Sequence, residues 1–295
     1  MQRKTAADFP PEVLRLFDGY VHGNITRREF LDRSARYATA GVTAAAMLEM
    51  LAPNFAWAQQ VAKDDARIKA LYQEYPSPNG SGTMRGYLAS PAKGMATGCI
   101  VGVHENRGLS PYIEDVARRL AVEGYVALAP DALFPSGGYP GDEDKARDMF
   151  AKLDMAKTRE DLVAAVPYLK SRKDCNGKVA AIGFCFGGGI ANVIATRFPD
   201  LAGAVPYYGP QPKPEDAAKI RSPILAHYAG EDPRINAGIP AFESALKANN
   251  VQYEVHIYPG TQHGFHNDTT PRYDEAAAKL SWQRTLAFFK KNLKG

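Results

Sequence analysis

Residues 178–198 read KVAAIGFCFGGGIANVIATRF, and this stretch decides the architecture. KVAAIGFC (178–185) is an apolar run of the kind that forms a buried strand, and FGGGIANVIATRF continues with apolar residues at helical spacing. Between the two lies Gly183-Phe184-Cys185-Phe186-Gly187. A strand that turns at once into a helix holds the central side chain in a strained, exposed pose. Glycines two residues before and two after let neighbouring backbone approach closely. The helix directs its first N–H groups and its dipole at the sulfur, which lowers a thiol pKa and stabilises an oxyanion. Two plainer readings exist: a structural cysteine before a glycine-rich helix start, or a phosphate-binding turn. A complete G-x-G-x-x-G is absent.

Strands and helices alternate around this unit. Strands are expected at 82–91, 98–105, 125–131, 202–209, 223–232 and 253–259. Helices are expected at 110–124, about 142–171, 236–249 and 273–292. Such alternation predicts an α/β fold with a mostly parallel central sheet covered by helices on both faces. Residues 61–295 show no internal repeat and no low-complexity linker, and are expected to form one domain. The chain has 295 residues, of which 45% are hydrophobic and 23% charged, which excludes disordered and collagenous classes. A net charge of +4, spread along the chain, does not make the clustered basic face that nucleic-acid binding needs. Three cysteines, Cys99, Cys175 and Cys185, argue against a disulfide framework. Cys185 is expected to be the one reactive thiol.

Residues 1–60 differ. Thr26-Arg27-Arg28-Glu29-Phe30-Leu31 resembles a twin-arginine export signal, followed by a weakly apolar run, Tyr37–Ala58, that ends in Ala56-Trp57-Ala58. This layout predicts an exported, periplasmic protein carried by the twin-arginine machinery, with no stable membrane span. FPPEVLRLFDGYV (9–21), in contrast, has the pattern of an amphipathic helix after a proline start, and Glu49 interrupts the apolar run. The alternative is a helical arm retained on a cytoplasmic protein.

Ligands of parallel sheets bind beyond the carboxyl ends of the strands. Asp232 follows the strand at 223–232 and His263 follows the strand at 253–259. Nucleophile, acid and histidine in that order match the chain order of an α/β-hydrolase triad. The histidine takes and returns a proton, and the aspartate fixes its tautomer. Singly, Asp232 also reads as a turn residue before Pro233, and His263 as a surface histidine in a glycine-rich loop. The strand at 98–105 ends in Glu105-Asn106-Arg107. The backbone N–H groups of Asn106 and Phe186 are the candidate oxyanion donors. Glu105 is expected within hydrogen-bond reach of the Cys185 thiol or of Arg107, and a carboxylate beside the sulfur would hold the thiol neutral at rest. Arg107, Tyr139 and Phe265 are the expected substrate contacts.

Together these residues resemble the dienelactone hydrolase family over about residues 68–293. The resemblance rests on the glutamate after the early strand, the G-x-C-x-G elbow, the Gly-Glu-Asp turn at 230–232 and the His-Gly-Phe turn at 263–265. It implies an α/β-hydrolase fold, Glu105, Cys185, Asp232 and His263 as catalytic residues, and hydrolysis of a cyclic enol lactone bearing a carboxylate. It also implies two arginines that grip this carboxylate. At one of those positions the chain has Asn267, and at the other it reads Ala-Leu-Phe-Pro-Ser-Gly-Gly-Tyr (132–139), with Arg107 the candidate replacement. The expectation is a hydrolase for a small ester or lactone, better on neutral substrates, working without metal or organic cofactor. A silent binding module on the same fold and an arm that serves docking or assembly are the other two classes.

Overall fold

The strand that ends at the elbow lies inside one eight-stranded sheet of order β1-β2-β4-β3-β5-β6-β7-β8. The strands are β1 (Ile68–Ser77), β2 (Gly82–Pro91), β3 (Cys99–Val103), β4 (Val126–Pro130), β5 (Val179–Phe184), β6 (Gly203–Tyr207), β7 (Ile224–Glu231) and β8 (Tyr253–Gln262). β1 and β2 pair antiparallel, as do β2 and β4, and every other neighbour is parallel. This computed structural model describes residues 3–39 and 41–294. Residues 1, 2, 40 and 295 lie outside the described residues, and with them the outer ends of the segments 1–60 and 61–295 and one residue of the run 37–58.

Helices cover both faces, as the alternation predicts. Three belong to the arm: α1 (Pro11–Val21), α2 (Arg27–Ser34) and α3 (Ala44–Leu51). The rest are α4 (Pro111–Val122), α5 (Glu143–Phe150), α6 (Met155–Val163), α7 (Ala165–Lys170), α8 (Phe186–Arg197), α9 (Pro214–Ala217), α10 (Pro233–Asn236), α11 (Ile239–Ala248) and α12 (Glu275–Leu293). The period-2 pleat divides the strand residues between two cores. Val101, Val103, Val179 and Ala181 pack with α6, α7, α8 and α11, and Ile100, Ala180, Ile182 and Phe184 pack with α4 and α12.

Three expectations need correction. The helical stretch foreseen at 142–171 is three helices, because Asp154 caps a new start by accepting from the N–H groups of Ala156 and Lys157. β1 was not foreseen: it is an edge strand whose Leu71 and Tyr72 are half exposed, so its pattern lacks a clean apolar face. Cys99 and Cys175 are joined as a disulfide rather than standing as separate thiols. Parallel pairing sets Cys99 opposite Val179, and the turn before β5 brings Cys175 to a Cα distance of 6.0 Å.

The arm folds as its own small unit. Phe9, Val13, Leu14, Phe17, Tyr20, Phe30, Met47, Leu48 and Leu51 form a separate apolar cluster. Thr26 and Glu29 make a reciprocal capping box that starts α2 at Arg27. Ala58, at the end of the foreseen cleavage site, is 2% exposed, and its carbonyl accepts from buried Arg118 at 3.4 Å. No described helix is long and apolar enough to cross a membrane. Replacing the fully buried Phe30 by alanine should remove roughly 3–5 kcal/mol from the arm's core. Limited proteolysis should then cut within residues 52–66 in Phe30→Ala while the parent resists. Equal resistance would show that the arm does not depend on this cluster.

Candidate active site

Cys185 sits where β5 gives way to α8, with φ 54° and ψ −115°. A non-glycine residue in this region is strained, by about 1–3 kcal/mol. The surrounding backbone holds it there: its N–H donates to the Tyr207 carbonyl at 3.0 Å, and its own carbonyl accepts from Gly188 at 3.0 Å. Both flanking glycines are obligatory. A Cβ on Gly183 would lie 1.9 Å from the Gly187 carbonyl oxygen, and one on Gly187 would lie 2.2 Å from that of Val103.

Asp232 and His263 come from the ends of β7 and β8 to the same rim, both nearly inaccessible. Oδ2 of Asp232 accepts from Nδ1 of His263 at 2.5 Å. This leaves Nε2 of His263 as the free ring nitrogen, and it has no hydrogen-bond partner. The sulfur of Cys185 and the ring nitrogens of His263 and His22 lie within 4.8 Å of one another. Among the described residues this is the group able to surround a metal ion. The Arg234 guanidinium, 3.2 Å from Nε2 of His22, opposes a cation there.

His22 belongs to the arm and was not foreseen as a site residue. It follows α1, and its Nε2 is 3.5 Å from Sγ of Cys185. Its ring meets that of His263 edge to face, with centroids 4.7 Å apart. The spacing Asp18-x-x-x-His22 at the end of an amphipathic helix was the available signal, since residues four apart share a helix face. Burial alone would raise the Cys185 thiol, but the charge of His263, together with the hydrogen bond and charge of His22, outweighs it and holds the thiol well below its ordinary value. Burial lowers His263 and His22, yet the thiolate, with Asp232 and Asp18 respectively, leaves both raised.

Glu105 reaches neither expected partner. Its Oε2 accepts from Nδ2 of Asn267 at 2.8 Å, while Oδ1 of Asn267 is held by Thr269. Burial first, then the neighbouring thiolate, raises this carboxyl to about 7. The resting thiol is therefore not held neutral by Glu105, because two imidazoles act on the sulfur more strongly than one diverted carboxylate. Arg107 is engaged elsewhere: it donates to the carbonyls of Asn106 and Val21 and lies 3.8 Å from Glu143.

A cavity of about 190 Å³ opens over the sulfur between the arm and the sheet rim, lined by Cys185, His263, Glu105, Asn106, Arg107, Asn267 and Arg272 and, from the arm, by Phe17, Tyr20, Leu48 and Glu49. Two expected substrate contacts are not part of it. Phe265 is fully buried against Tyr208, Tyr258 and Tyr207, and Tyr139 stands behind the wall with its hydroxyl donated to Glu143 at 2.8 Å. Phe186 opens α8, so its N–H is one of the first-turn donors that have no partner inside the helix. Arg272 is the cation that sequence reasoning missed. It is nearly buried, lies 3.7 Å from Asp18, and has no hydrogen-bond partner at Nε or Nη1.

The family model for the dienelactone hydrolase family matches residues 84–293, and a YqhI-like model matches residues 1–39. A hydrolase fragment of Escherichia coli K12, YghX, is 56% identical over 114 residues, 38% of this chain and 97% of that fragment. A protein of Saccharolobus solfataricus named for carboxymethylenebutenolidase is 33% identical, over 70% of this chain and 94% of its own. A crystal structure from Klebsiella pneumoniae, titled as a dienelactone hydrolase, superposes with a TM-score of 0.66 at 30% identity, covering 76% of this chain and 99% of that one. The sheet and its helical layers thus have the α/β-hydrolase architecture of these neighbours.

Two inflections are expected in the pH dependence of Cys185 alkylation. Iodoacetamide should alkylate it well below the pH at which a free thiol reacts, because the imidazoles favour the thiolate. A second inflection should appear near pH 7, where Glu105 gains its charge beside the sulfur. Glu105→Gln should keep the first and lose the second. A parent profile with one inflection at the ordinary thiol value would contradict both assignments.

Proposed function

This chain belongs to the dienelactone hydrolase family, and we propose that it hydrolyses a small ester or lactone through Cys185, with His263 and Asp232 completing a triad and a thioester acyl-enzyme linking the two half-reactions. The observation that carries this reading is the nucleophile itself. The free cysteine stands strained at the strand-to-helix turn, at the base of a cavity, beside an imidazole whose other nitrogen is fixed by a carboxylate. A thiolate is the more reactive form of this nucleophile, and the site favours it by placing imidazole acceptors beside the thiol proton. The Phe186 N–H and that of Asn106 are the proposed donors to the developing oxyanion. Each such donor contributes a few kcal/mol to the transition state in related chemistry, about 2.7–4 kcal/mol.

The charge of the substrate is a separate matter. Asn267 holds Glu105 and Arg107 is already paired, so neither is available to a substrate carboxylate. Arg272 also lines the cavity, with no hydrogen bond at Nε or Nη1 although Nη1 lies 3.7 Å from Asp18, and this cation favours a substrate bearing an acidic group over the neutral one expected from Asn267.

Two measurements test these statements. Cys185→Ala should abolish hydrolysis of esters and lactones, and in the parent an acyl adduct should be found on Cys185 by mass spectrometry after rapid quenching. Turnover surviving in Cys185→Ala would remove the thiol from the mechanism. For substrate charge, Arg272→Met should lower kcat/KM for a carboxylate-bearing lactone at least about tenfold more than for its neutral analogue, a difference of roughly 1.4 kcal/mol. Equal losses would return the reading to a neutral ester.

A further inference from the structure

The arm brings a second imidazole to the sulfur. Nδ1 of His22 faces two acceptors, the main-chain oxygen of Asp18 at 2.8 Å and its Oδ1 at 3.2 Å. The ring proton therefore sits on Nδ1, and the lone pair on Nε2 is directed at the thiol. The other neighbour of Nε2 is Nη2 of Arg234 at 3.2 Å, and a guanidinium only donates, which again makes Nε2 an acceptor. His263 is placed similarly from the opposite side, with Nδ1 hydrogen-bonded to the Asp232 carboxylate and Nε2 bare, whereas the hydrogen bond of His22 Nδ1 goes to the main-chain oxygen of Asp18 with the carboxylate close by. Sγ lies 3.5 Å from His22, whereas Nε2 of His263 is left without a partner. One thiol thus has two aspartate-backed bases, one more than a triad requires.

We propose that the two histidines divide the half-reactions: His22, set by Asp18, is the catalytic base for the thiol during acylation, and His263, set by Asp232, is the base for water during deacylation. This rests on Cys185 being the nucleophile, as put forward above. In the first half the thiol proton passes to Nε2 of His22, and the sulfur lone pair forms the bond to the carbonyl carbon. When the carbonyl re-forms, the bond to the leaving oxygen breaks, and that oxygen takes the proton from His22. In the second half Nε2 of His263 takes a proton from water as the water oxygen attacks the thioester. The C–S bond then breaks, the acid departs, and the sulfur recovers the proton from His263. Each histidine ends neutral and the thiol is restored.

The charged groups around His22 fit this role. Asp18 lies on its own helix, Cys185 and His263 face it from the sheet rim, Arg234 faces it from α10, and Arg272 reaches Asp18 from behind at 3.7 Å. Once His22 is protonated, Arg234 confronts it with like charge, which favours prompt return of the proton to the leaving oxygen. Residues of the arm are then part of the catalytic unit rather than a detachable leader.

Stopped-flow hydrolysis of p-nitrophenyl acetate by the full-length protein separates the two halves. In His22→Ala the acylation burst should slow by about a hundredfold or more, the usual reach of a general base, while the deacylation rate is unchanged. Added imidazole should restore the burst. His22→Asn, which keeps a polar group against Arg234, should show the same loss. Asp18→Asn should lose less and shift the acid limb of the acylation profile. His263→Ala should still acylate, and the thioester should accumulate on Cys185. A burst unchanged in His22→Ala, or a loss that imidazole does not restore, would overturn the division of labour. Acylation of some other residue in Cys185→Ala would instead overturn the triad, so the two failures are distinguishable.

Discussion

The left-handed turn at Cys185 is the constraint on which the site depends. At φ 54° the residue carries strain that only a rigid surround maintains, and that surround is made of backbone. Gly187 approaches the end of β3 so closely that no side chain fits, and Gly188 approaches Tyr207 and Gly209 at the end of β6 in the same way. The elbow is thus wedged between two neighbouring strand ends. This wedge fixes where the sulfur points and brings it level with the residues after β3, β7 and β8. Glu105, Asp232 and His263, from three distant segments, thus gather around the elbow, with Glu105 bonded to Asn267 and Asp232 to His263 rather than to the thiol.

What the rim residues do follows from their partners rather than from their positions. Glu105 lies near the thiol, yet the amide of Asn267 draws its carboxylate aside, and Thr269 prevents that amide from turning. Burial leaves Glu105 balanced near neutrality instead of fully charged. A fully ionised carboxylate beside the sulfur would push the thiolate back to thiol. The asparagine that takes the place of an arginine is in this chain a restraint on the glutamate. A guanidinium does line the cavity, that of Arg272, five residues further on.

The alternation of strands and helices, the elbow and the order of Cys185, Asp232 and His263 were legible because each is a local pattern: an apolar run, a glycine pair, a residue after a strand. The distant contacts were not. Tyr139 and Phe265 follow rim strands in sequence, but the turn after β8 sends Phe265, two residues beyond His263, into the aromatic layer with Tyr208 and Tyr258. β1 escaped because an edge strand need bury only part of one face. The pairing of Cys99 with Cys175 depends on the register of β3 against β5, which no count of cysteines reveals. The stretch Thr26–Leu31 reads both as an export signal and as a capped helix. In the fold it builds the helix, with Phe30 in the arm's core and Arg27 paired to Asp144 at 2.8 Å.

The arm's two kinds of contact have different strengths, and the difference matters for the site. Within the arm the contacts are apolar and cooperative, with Phe17, Tyr20 and Phe30 packed ring against ring. Between arm and sheet rim they are polar: Arg107 and Asn106 hold the carbonyl of Val21, Arg27 and Tyr20 meet Asp144, and Arg272 meets Asp18. Of these contacts, the exposed ion pair of Arg27 with Asp144 is worth about 0–1 kcal/mol. Several of them end on the last turn of α1 or just after it, which is the turn that carries Asp18 and His22. The docking contacts are therefore concentrated where a small displacement changes the distance from imidazole to sulfur most. A unit that is stiff inside and held by a few directional polar bonds positions one side chain well.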